Sequence, residues 1–254
     1  MTGFHVEVDG HTALVTIDRP KANAIDAATS KAMGSTFADL DRDPSVRAII
    51  LTGAGQKFFS AGWDLSAEED FDSDYGVGGF GGFPELPGRA TPVIAAVNGM
   101  AVGGGFEIAM AADLLVAAEH AQFWLPEPAI GILPDAGAVK LGRLLPPHVA
   151  RDLLLTGRRM DAAEGLRWGL IARVVPADAL LAAARETAEA IVASAPLSVA
   201  ALLDIERRTA HLPLDEAMRS LKSLASYRRA IDSADAREGQ AAFAEKRPPN
   251  WTGR

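Results

Sequence analysis

Two carboxylates in this chain stand where carboxylates are seldom found. Glu107 closes the run Asn98-Gly99-Met100-Ala101-Val102-Gly103-Gly104-Gly105-Phe106-Glu107, and Glu127 sits between two prolines in Phe123-Trp124-Leu125-Pro126-Glu127-Pro128. The residues around Glu107 (Phe106, Ile108, Ala109 and Met110) are apolar, which predicts a buried helix, and a buried Glu is costly without a task. Three glycines at the start of that helix leave backbone N–H groups unpaired and let a substrate approach the backbone closely. The turn Phe59-Ser60-Ala61-Gly62-Trp63-Asp64-Leu65 can present a second N–H. Two such donors on one thioester oxygen form an oxyanion hole. Two carboxylates made more basic by desolvation are suited to moving protons beside that carbonyl. Taken singly, each feature also has a plain structural use. A first-turn Glu offsets the helix dipole, a loop carboxylate caps a turn, and a glycine run packs a strand on a helix.

Composition removes most rival chemistries. The chain has 254 residues, 48% of them hydrophobic, enough for one large domain or a domain with an appendage. It has no cysteine, so thiolate catalysis, disulfides and cysteine zinc sites are excluded. His5, His11, His120, His148 and His211 are scattered and fall outside the glycine motifs. No Gly-x-Ser-x-Gly or His-Glu-x-x-His pattern occurs, so neither a Ser-His-Asp hydrolase nor a metal site is expected. The net charge of −8 speaks against nucleic-acid binding. No window has the ~18–20 unbroken apolar residues of a membrane span, and residues 1–10 carry no signal pattern, so a cytoplasmic location is expected. Gly76-Val77-Gly78-Gly79-Phe80-Gly81 spells a dinucleotide fingerprint, but no strand precedes it and Pro84 and Pro87 follow where a helix should begin. Gly53-Ala54-Gly55 is better placed but lacks the third glycine.

The elements that must position these residues alternate between strand and helix. Phe4–Val8 and Thr12–Ile17 read as a hairpin around Asp9-Gly10, and Asp26 caps a helix running to about Asp41. Short apolar strands are predicted at Val46–Leu51, Pro92–Val97 and Asp113–Ala118, with a helix from about Gly104 to Ala112 between the last two. Asp161-Ala162-Ala163-Glu164 has capping-box spacing, and Gly169 stops that helix. A strand follows at Ile171–Val175. The chain then turns helical, with a break at Ser194-Ala195-Pro196 and further helices at Leu214–Ile231 and Ala236–Lys246. The class is α/β, divided into a catalytic domain at 1–195 and a helical region at 196–254. Asp70–Gly88, rich in glycine and aspartate, is expected to be a mobile loop of the kind that serves as a lid.

These motifs together are specific. Asp18-Arg19-Pro20 with Ala22-Asn23-Ala24, the stretch Phe59–Leu65, Ala95-Ala96-Val97-Asn98-Gly99, Gly103–Glu107 and Thr156-Gly157 resemble the crotonase, or enoyl-CoA hydratase/isomerase, superfamily along nearly the whole chain. The resemblance implies a crotonase (ClpP-like) spiral of ββα repeats followed by a C-terminal helical trimerisation region, assembled as a homotrimer or a dimer of trimers. It implies an oxyanion hole from the N–H groups of Ala61 and Gly104, and Glu107 and Glu127 as the acid/base pair, with the role of each left open. An acyl-CoA is the implied substrate, CoA being part of it, and no separate cofactor, metal, nucleic acid or membrane is implied. Lys21, Ala22 and Asn23, with Ala61, Gly62, Trp63, Asp64 and Leu65, would hold the CoA. Gly103 and Trp124 would lie on the substrate side, and Phe243 and Lys246 would help from the same or a neighbouring subunit.

Within the superfamily, Lys57–Leu65, Thr156-Gly157-Arg158-Arg159-Met160, Leu166-Arg167-Trp168-Gly169 and Ala242–Arg247 resemble the subgroup that converts carnitinyl-CoA to crotonobetainyl-CoA. That substrate carries a quaternary ammonium, for which Trp63, Trp124, Phe80 and Phe83 are aromatic candidates. Ordinary short-chain enoyl-CoA hydration, double-bond isomerisation, and a non-catalytic acyl-CoA- or RNA-binding role stay open as alternatives. The chain departs from the superfamily at Ala138-Val139-Lys140-Leu141-Gly142-Arg143, where a second glycine and a Leu-Pro pair are usual. The extra methyl of Ala138 is expected near the loop of the second carboxylate.

Overall fold

The computed structural model describes residues 3–70 and 73–254. Met1, Thr2 and two residues of the expected lid loop, Phe71 and Asp72, lie outside the described residues. The chain opens with β1 (Phe4–Asp9), β2 (Thr12–Ile17) and α1 (Ala27–Arg42), then β3 (Ala48–Gly53) and β4 (Phe58–Ser60). After a long loop come β5 (Val93–Val97), β6 (Met100–Val102), α2 (Gly104–Ala111), β7 (Leu114–Ala118) and β8 (Gln122–Trp124). Then follow α3 (Asp135–Leu144), α4 (Pro147–Thr156), β9 (Met160–Asp161), α5 (Ala162–Arg167), β10 (Arg173–Val175) and α6 (Leu180–Val192). The chain ends in α7 (Pro196–Thr209), α8 (Leu214–Ser220), α9 (Ala225–Ile231) and α10 (Ala234–Glu245).

Successive turns of the chain lay one strand into each of two sheets. The larger sheet has the order β1-β2-β3-β5-β7-β10 and the smaller β4-β6-β8-β9. Thus β3 is followed by β4, β5 by β6 and β7 by β8, each pair stepping one place along both sheets, all in parallel. Strands buried on both faces alternate between two cores. Ile49, Leu51, Val93, Ala95 and Val97 point into the larger core with α1 and α2, which contribute Phe37, Phe106 and Ile108. Ala48, Ile50, Ile94 and Ala96 face the other way, onto Leu180, Ala183, Ala184 and Ala188 of α6.

The strands of the larger sheet and the Asp26 cap, whose side chain accepts from the Thr29 N–H, agree with the sequence reading. The smaller sheet, implied by the resemblance through its ββα repeats, leaves no sign in the residues themselves, because β4, β6 and β8 have three residues each, too few to display a two-residue period. The helix expected over Leu214–Ile231 is two helices separated by a 3-10 turn at Leu221–Ser223. There Ser220 donates to the Ala217 carbonyl (3.0 Å) and Ser223 to the Ser220 carbonyl (2.6 Å), and such local bonds compete with helix continuation. The described part of the 70–88 loop is seated in the body rather than standing away from it. Phe83 is 2% exposed, with its ring 4.7 Å from Phe37, and the Ser30 hydroxyl bonds the Gly79 carbonyl and the Gly81 N–H.

The chain breaks between α6 and α7 at Ser194–Ala195, and the helices beyond are strapped to the body by the C-terminal tail. Buried Asp235 accepts the N–H groups of Thr252 (2.7 Å) and Gly253 (2.9 Å). Trp251 Nε1 donates to the Ala193 carbonyl (2.8 Å), and Arg47 donates to the Trp251 carbonyl (3.1 Å). No single described helix is long and apolar enough to cross a membrane.

Candidate active site

A cavity of about 340 Å³ opens where α2, the start of α3 and the 75–85 loop meet. Its lining includes Trp63, Tyr75, Phe80, Glu85, Gly104, Glu107, Glu127 and Asp135. Both carboxylates singled out in the sequence therefore reach one space. They arrive from different elements: Glu107 from the first turn of α2, Glu127 from the start of a 3-10 turn at Glu127–Ile130.

The glycine run makes this approach possible. Gly103, at φ +54, carries the N-terminus of α2 so close to Glu127 that a β-carbon there would collide with Oε1. A β-carbon on Gly104 would strike the Phe80 ring, and one on Gly105 the Ser60 carbonyl. Gly104 is the first residue of α2, so its N–H has no acceptor within the helix, and Gly104 itself lines the cavity.

The two carboxyls are held differently. Glu107 is half-buried and its Oε1 accepts the Gly137 N–H at 2.7 Å, one of the unpaired donors at the N-terminus of α3. Burial raises its proton affinity, Asp135 raises it further, and the α3 amides pull it partly back. Glu127 is 7% exposed, and its Oε2 is buried with no hydrogen-bond partner. Burial, reinforced by the charges of Glu107 and Asp135, pushes it up to about 7. Two carboxyls held this unequally in one cavity can serve as acid and base in the same reaction. Asp135, the first residue of α3, is a third carboxylate on the wall, to which the sequence reading gave no role.

The expected oxyanion donor Ala61 is corrected by the structure. Its N–H donates to the Ala22 carbonyl at 2.9 Å, and the Gly62 N–H goes to Ser60 Oγ at 3.1 Å. Ile25 and Trp63 form a parallel bridge in which Ile25 N–H donates to the Gly62 carbonyl (2.8 Å) and Asp64 N–H to the Ile25 carbonyl (3.0 Å). In that pattern the N–H of Trp63 itself points away from Ile25. A β-carbon on Gly62 would lie 2.7 Å from the Gly104 nitrogen, so this turn and the start of α2 are in contact. By that register the amide of Trp63, two residues beyond Ala61, is the one on the side of the turn away from Ile25. Trp63 also lines the cavity, with its indole N–H on Glu69 (3.3 Å), whose carboxylate accepts the Ala27 N–H at the start of α1 (2.9 Å).

Several other expected contacts resolve into scaffold. Asn23 is 4% exposed, and its amide donates to the carbonyls of Ala54, Phe58 and Phe59, so its side chain faces the body. Arg19 pairs with Asp26 at 2.6 Å and with Asp64 at 3.5 Å. Lys21 and Leu65 are exposed and Ala22 is half-buried, all outside the cavity lining. Trp124 is not among the lining residues; it projects from β8 and the Arg159 guanidinium lies 4.4 Å from its ring centre. Phe83 is removed from the aromatic candidates by its burial against Phe37. Phe243 is 87% exposed on α10 and Lys246 caps that helix, and within one chain neither joins the cavity. Ala138 is exposed on α3, so its methyl does not shape the pocket.

A spiral that feeds two mostly parallel sheets, with a glycine-opened helix start between a buried and a half-buried glutamate, is the architecture, and the sequence comparison names its class. The profile of the family described as enoyl-CoA hydratase/isomerase matches residues 7–254, and the chain belongs to that family. Among its relatives are carnitinyl-CoA dehydratases of Citrobacter koseri and Salmonella typhi, each 52% identical over 99% of this chain and 98% of the relative. Among solved structures it is similar to an enoyl-CoA hydratase from Mycobacterium tuberculosis (TM-score 0.92, 36% identity) and one from Mycobacterium marinum (TM-score 0.92, 38% identity), each matched over 100% of both chains.

Proposed function

We propose that this protein is a hydro-lyase that interconverts a 3-hydroxyacyl-CoA and its 2-enoyl-CoA, with carnitinyl-CoA and crotonobetainyl-CoA as the pair. The observation that carries the reaction class is the convergence of Glu107 and Glu127, unequal in burial and amide contacts, on one cavity beside the Gly104 N–H. The thioester oxygen accepts from the N–H groups of Gly104 and Trp63. One carboxylate removes the proton on the carbon next to the carbonyl, and the charge that builds on the oxygen is met by those donors, each worth about 10²–10³ in rate. The other carboxyl gives its proton to the departing β-hydroxyl, and water leaves. Hydration is the same path in reverse. Proton transfer and amide donation come from the chain itself, so no cofactor is proposed.

The substrate reading is supported by the 52% identity to carnitinyl-CoA dehydratases over nearly the full length of both chains. Lys21, Asp64 and Leu65 are proposed to meet the CoA. Phe243 and Lys246 are proposed to do so from a neighbouring subunit of a trimer or a dimer of trimers. The exposed Leu202, Leu214, Met218 and Phe243 of the C-terminal helices support such an assembly. A cytoplasmic location is proposed with it. The test compares kcat/KM for carnitinyl-CoA with that for 3-hydroxybutyryl-CoA. A clear preference for carnitinyl-CoA is expected. Equal or better turnover of the neutral substrate would remove the carnitine assignment and leave the short-chain hydratase reading, while no turnover of either would remove the hydro-lyase.

A further inference from the structure

Residues 78–82 run between α1 and α2 and touch both helices. On the α1 side, a β-carbon on Gly82 would lie 2.5 Å from the Gly34 nitrogen and 2.7 Å from the Met33 side chain, so the backbone rests directly on the helix. On the α2 side, Gly81 meets the Ile108 side chain, and the Phe80 ring occupies the space a side chain on Gly104 would need. Gly104 and Ile108 are four residues apart and share a face of α2, with Glu107 in the turn between them. Peptides buried in so tight a place need hydrogen-bond partners. Ser30, on α1 and fully buried, supplies them. Its hydroxyl accepts the Gly81 N–H at 2.9 Å and donates to the Gly79 carbonyl at 3.0 Å. Those two groups stand on either side of Phe80. A helical serine often turns its hydroxyl back to a carbonyl of its own helix, as Ser35 does with Lys31 at 3.2 Å. Ser30 reaches across to the loop instead. It also approaches the Tyr75 carbonyl at 3.4 Å, and Tyr75 meets Phe80 edge to face with ring centres 5.4 Å apart.

We propose that Ser30 is a positioning residue for the reaction: it clamps the peptides that flank Phe80 and so holds that ring beside the start of α2. The inference deepens the proposed function and rests on it for the use of the Gly104 N–H. Ser30 is not among the residues lining the cavity, and it acts through Phe80, which is. The ring is an apolar wall next to the oxyanion donor. It keeps water from competing for that N–H, and a hydrogen bond is stronger where water is scarce. The negative charge on the thioester oxygen develops only in the transition state, so losing the wall costs kcat rather than KM.

Two readouts separate this role from plain packing. In the first, para-fluorophenylalanine is placed at position 80 of the full-length protein, and its fluorine NMR line is recorded with and without Ser30→Ala. One narrow line is expected in the presence of Ser30, and a shifted or broadened one with Ser30→Ala. A line that the substitution does not move would overturn the clamp. In the second, kcat and KM are measured for Ser30→Ala, Phe80→Leu and the double variant, on whichever of carnitinyl-CoA and 3-hydroxybutyryl-CoA the wild type turns over faster. Each single variant is expected to lose about tenfold in kcat with KM within about threefold, and the double variant to lose no more than the worse single. A packing role would lower stability and leave kcat per folded molecule unchanged. That result, or losses that multiply in the double variant, would overturn the proposal. If Ser30→Ala does not fold, Phe80→Leu decides: a loss in kcat supports the wall and an unchanged kcat removes it. A wild type that turns over neither thioester is a failure of the hydro-lyase reading, whereas the fluorine line tests the Ser30–Phe80 clamp whether or not turnover is seen.

Discussion

Glu127→Gln replaces a carboxyl that burial has made reluctant to ionise with a neutral group of the same shape. In the folded protein Glu127 keeps its proton up to about 7, against 4.5 for an unperturbed Glu. At about 1.4 kcal/mol for each tenfold change in proton affinity, ionising Glu127 in place costs the fold roughly 3 kcal/mol. The sign follows from which state binds more protons. Between about 4.5 and 7 the folded chain holds a proton at this site that the unfolded chain has released. The contribution of Glu127 is thus fully present below 4.5 and is lost as pH rises through about 7, whereas Gln has nothing to lose. Urea denaturation of both proteins from about pH 5 to about pH 8 should show the variant gaining up to roughly 3 kcal/mol on the wild type across that window. Any fixed cost of the new amide beside the unpartnered oxygen site shifts all points equally and drops out of the slope. A stability difference flat in pH, or one that moves toward the wild type as pH rises, would refute the burial and electrostatics assigned to Glu127.

Two further substitutions probe the scaffold. Gly103→Ala places a methyl against Glu127 Oε1 at a backbone φ of +54, so hydration of crotonyl-CoA should fall about 10²-fold as the carboxyl is displaced, with stability lowered by about 1–3 kcal/mol, read by the same urea titration. Arg89→Met removes a guanidinium that is 5% exposed and bonds Asp113 through two nitrogens (2.6 and 3.0 Å) and the Thr91 carbonyl (2.5 Å), leaving Asp113 with the Val93 N–H (2.7 Å) but without its charged partner. A loss of about 3–5 kcal/mol is expected, part of it recovered in the double variant with Asp113→Asn.

What the sequence makes legible follows from how many residues carry each signal. Strands β3, β5 and β7 are buried on both faces and stand out as unbroken apolar runs, and α1 announces itself through the Asp26 cap. The smaller sheet, which sets the spacing of β4, β6 and β8, is carried by strands too short to show a period. Glu107 and Glu127 are legible because their carboxylates break an apolar context. Which amide of the Ala61–Asp64 turn faces the cavity depends on the register of a single bridge between Ile25 and Trp63, and no pattern of residue types encodes that choice. Trp124 and Phe83 look like equals of Trp63 and Phe80 in the sequence, yet Arg159 covers one and Phe37 buries the other. Tyr75, Glu85 and Asp135 reach the cavity from a loop and a helix end, where side-chain direction follows from tertiary packing alone.

The central claim is that two carboxyls share the proton work. It is tested most directly by kcat/KM for carnitinyl-CoA dehydration in the wild type, Glu107→Gln and Glu127→Gln, each shown by circular dichroism to be folded. A loss of about 10²–10⁴ in both variants is predicted, since either one alone removes half of the acid/base pair. A rate within a few-fold of wild type in either variant would contradict the account.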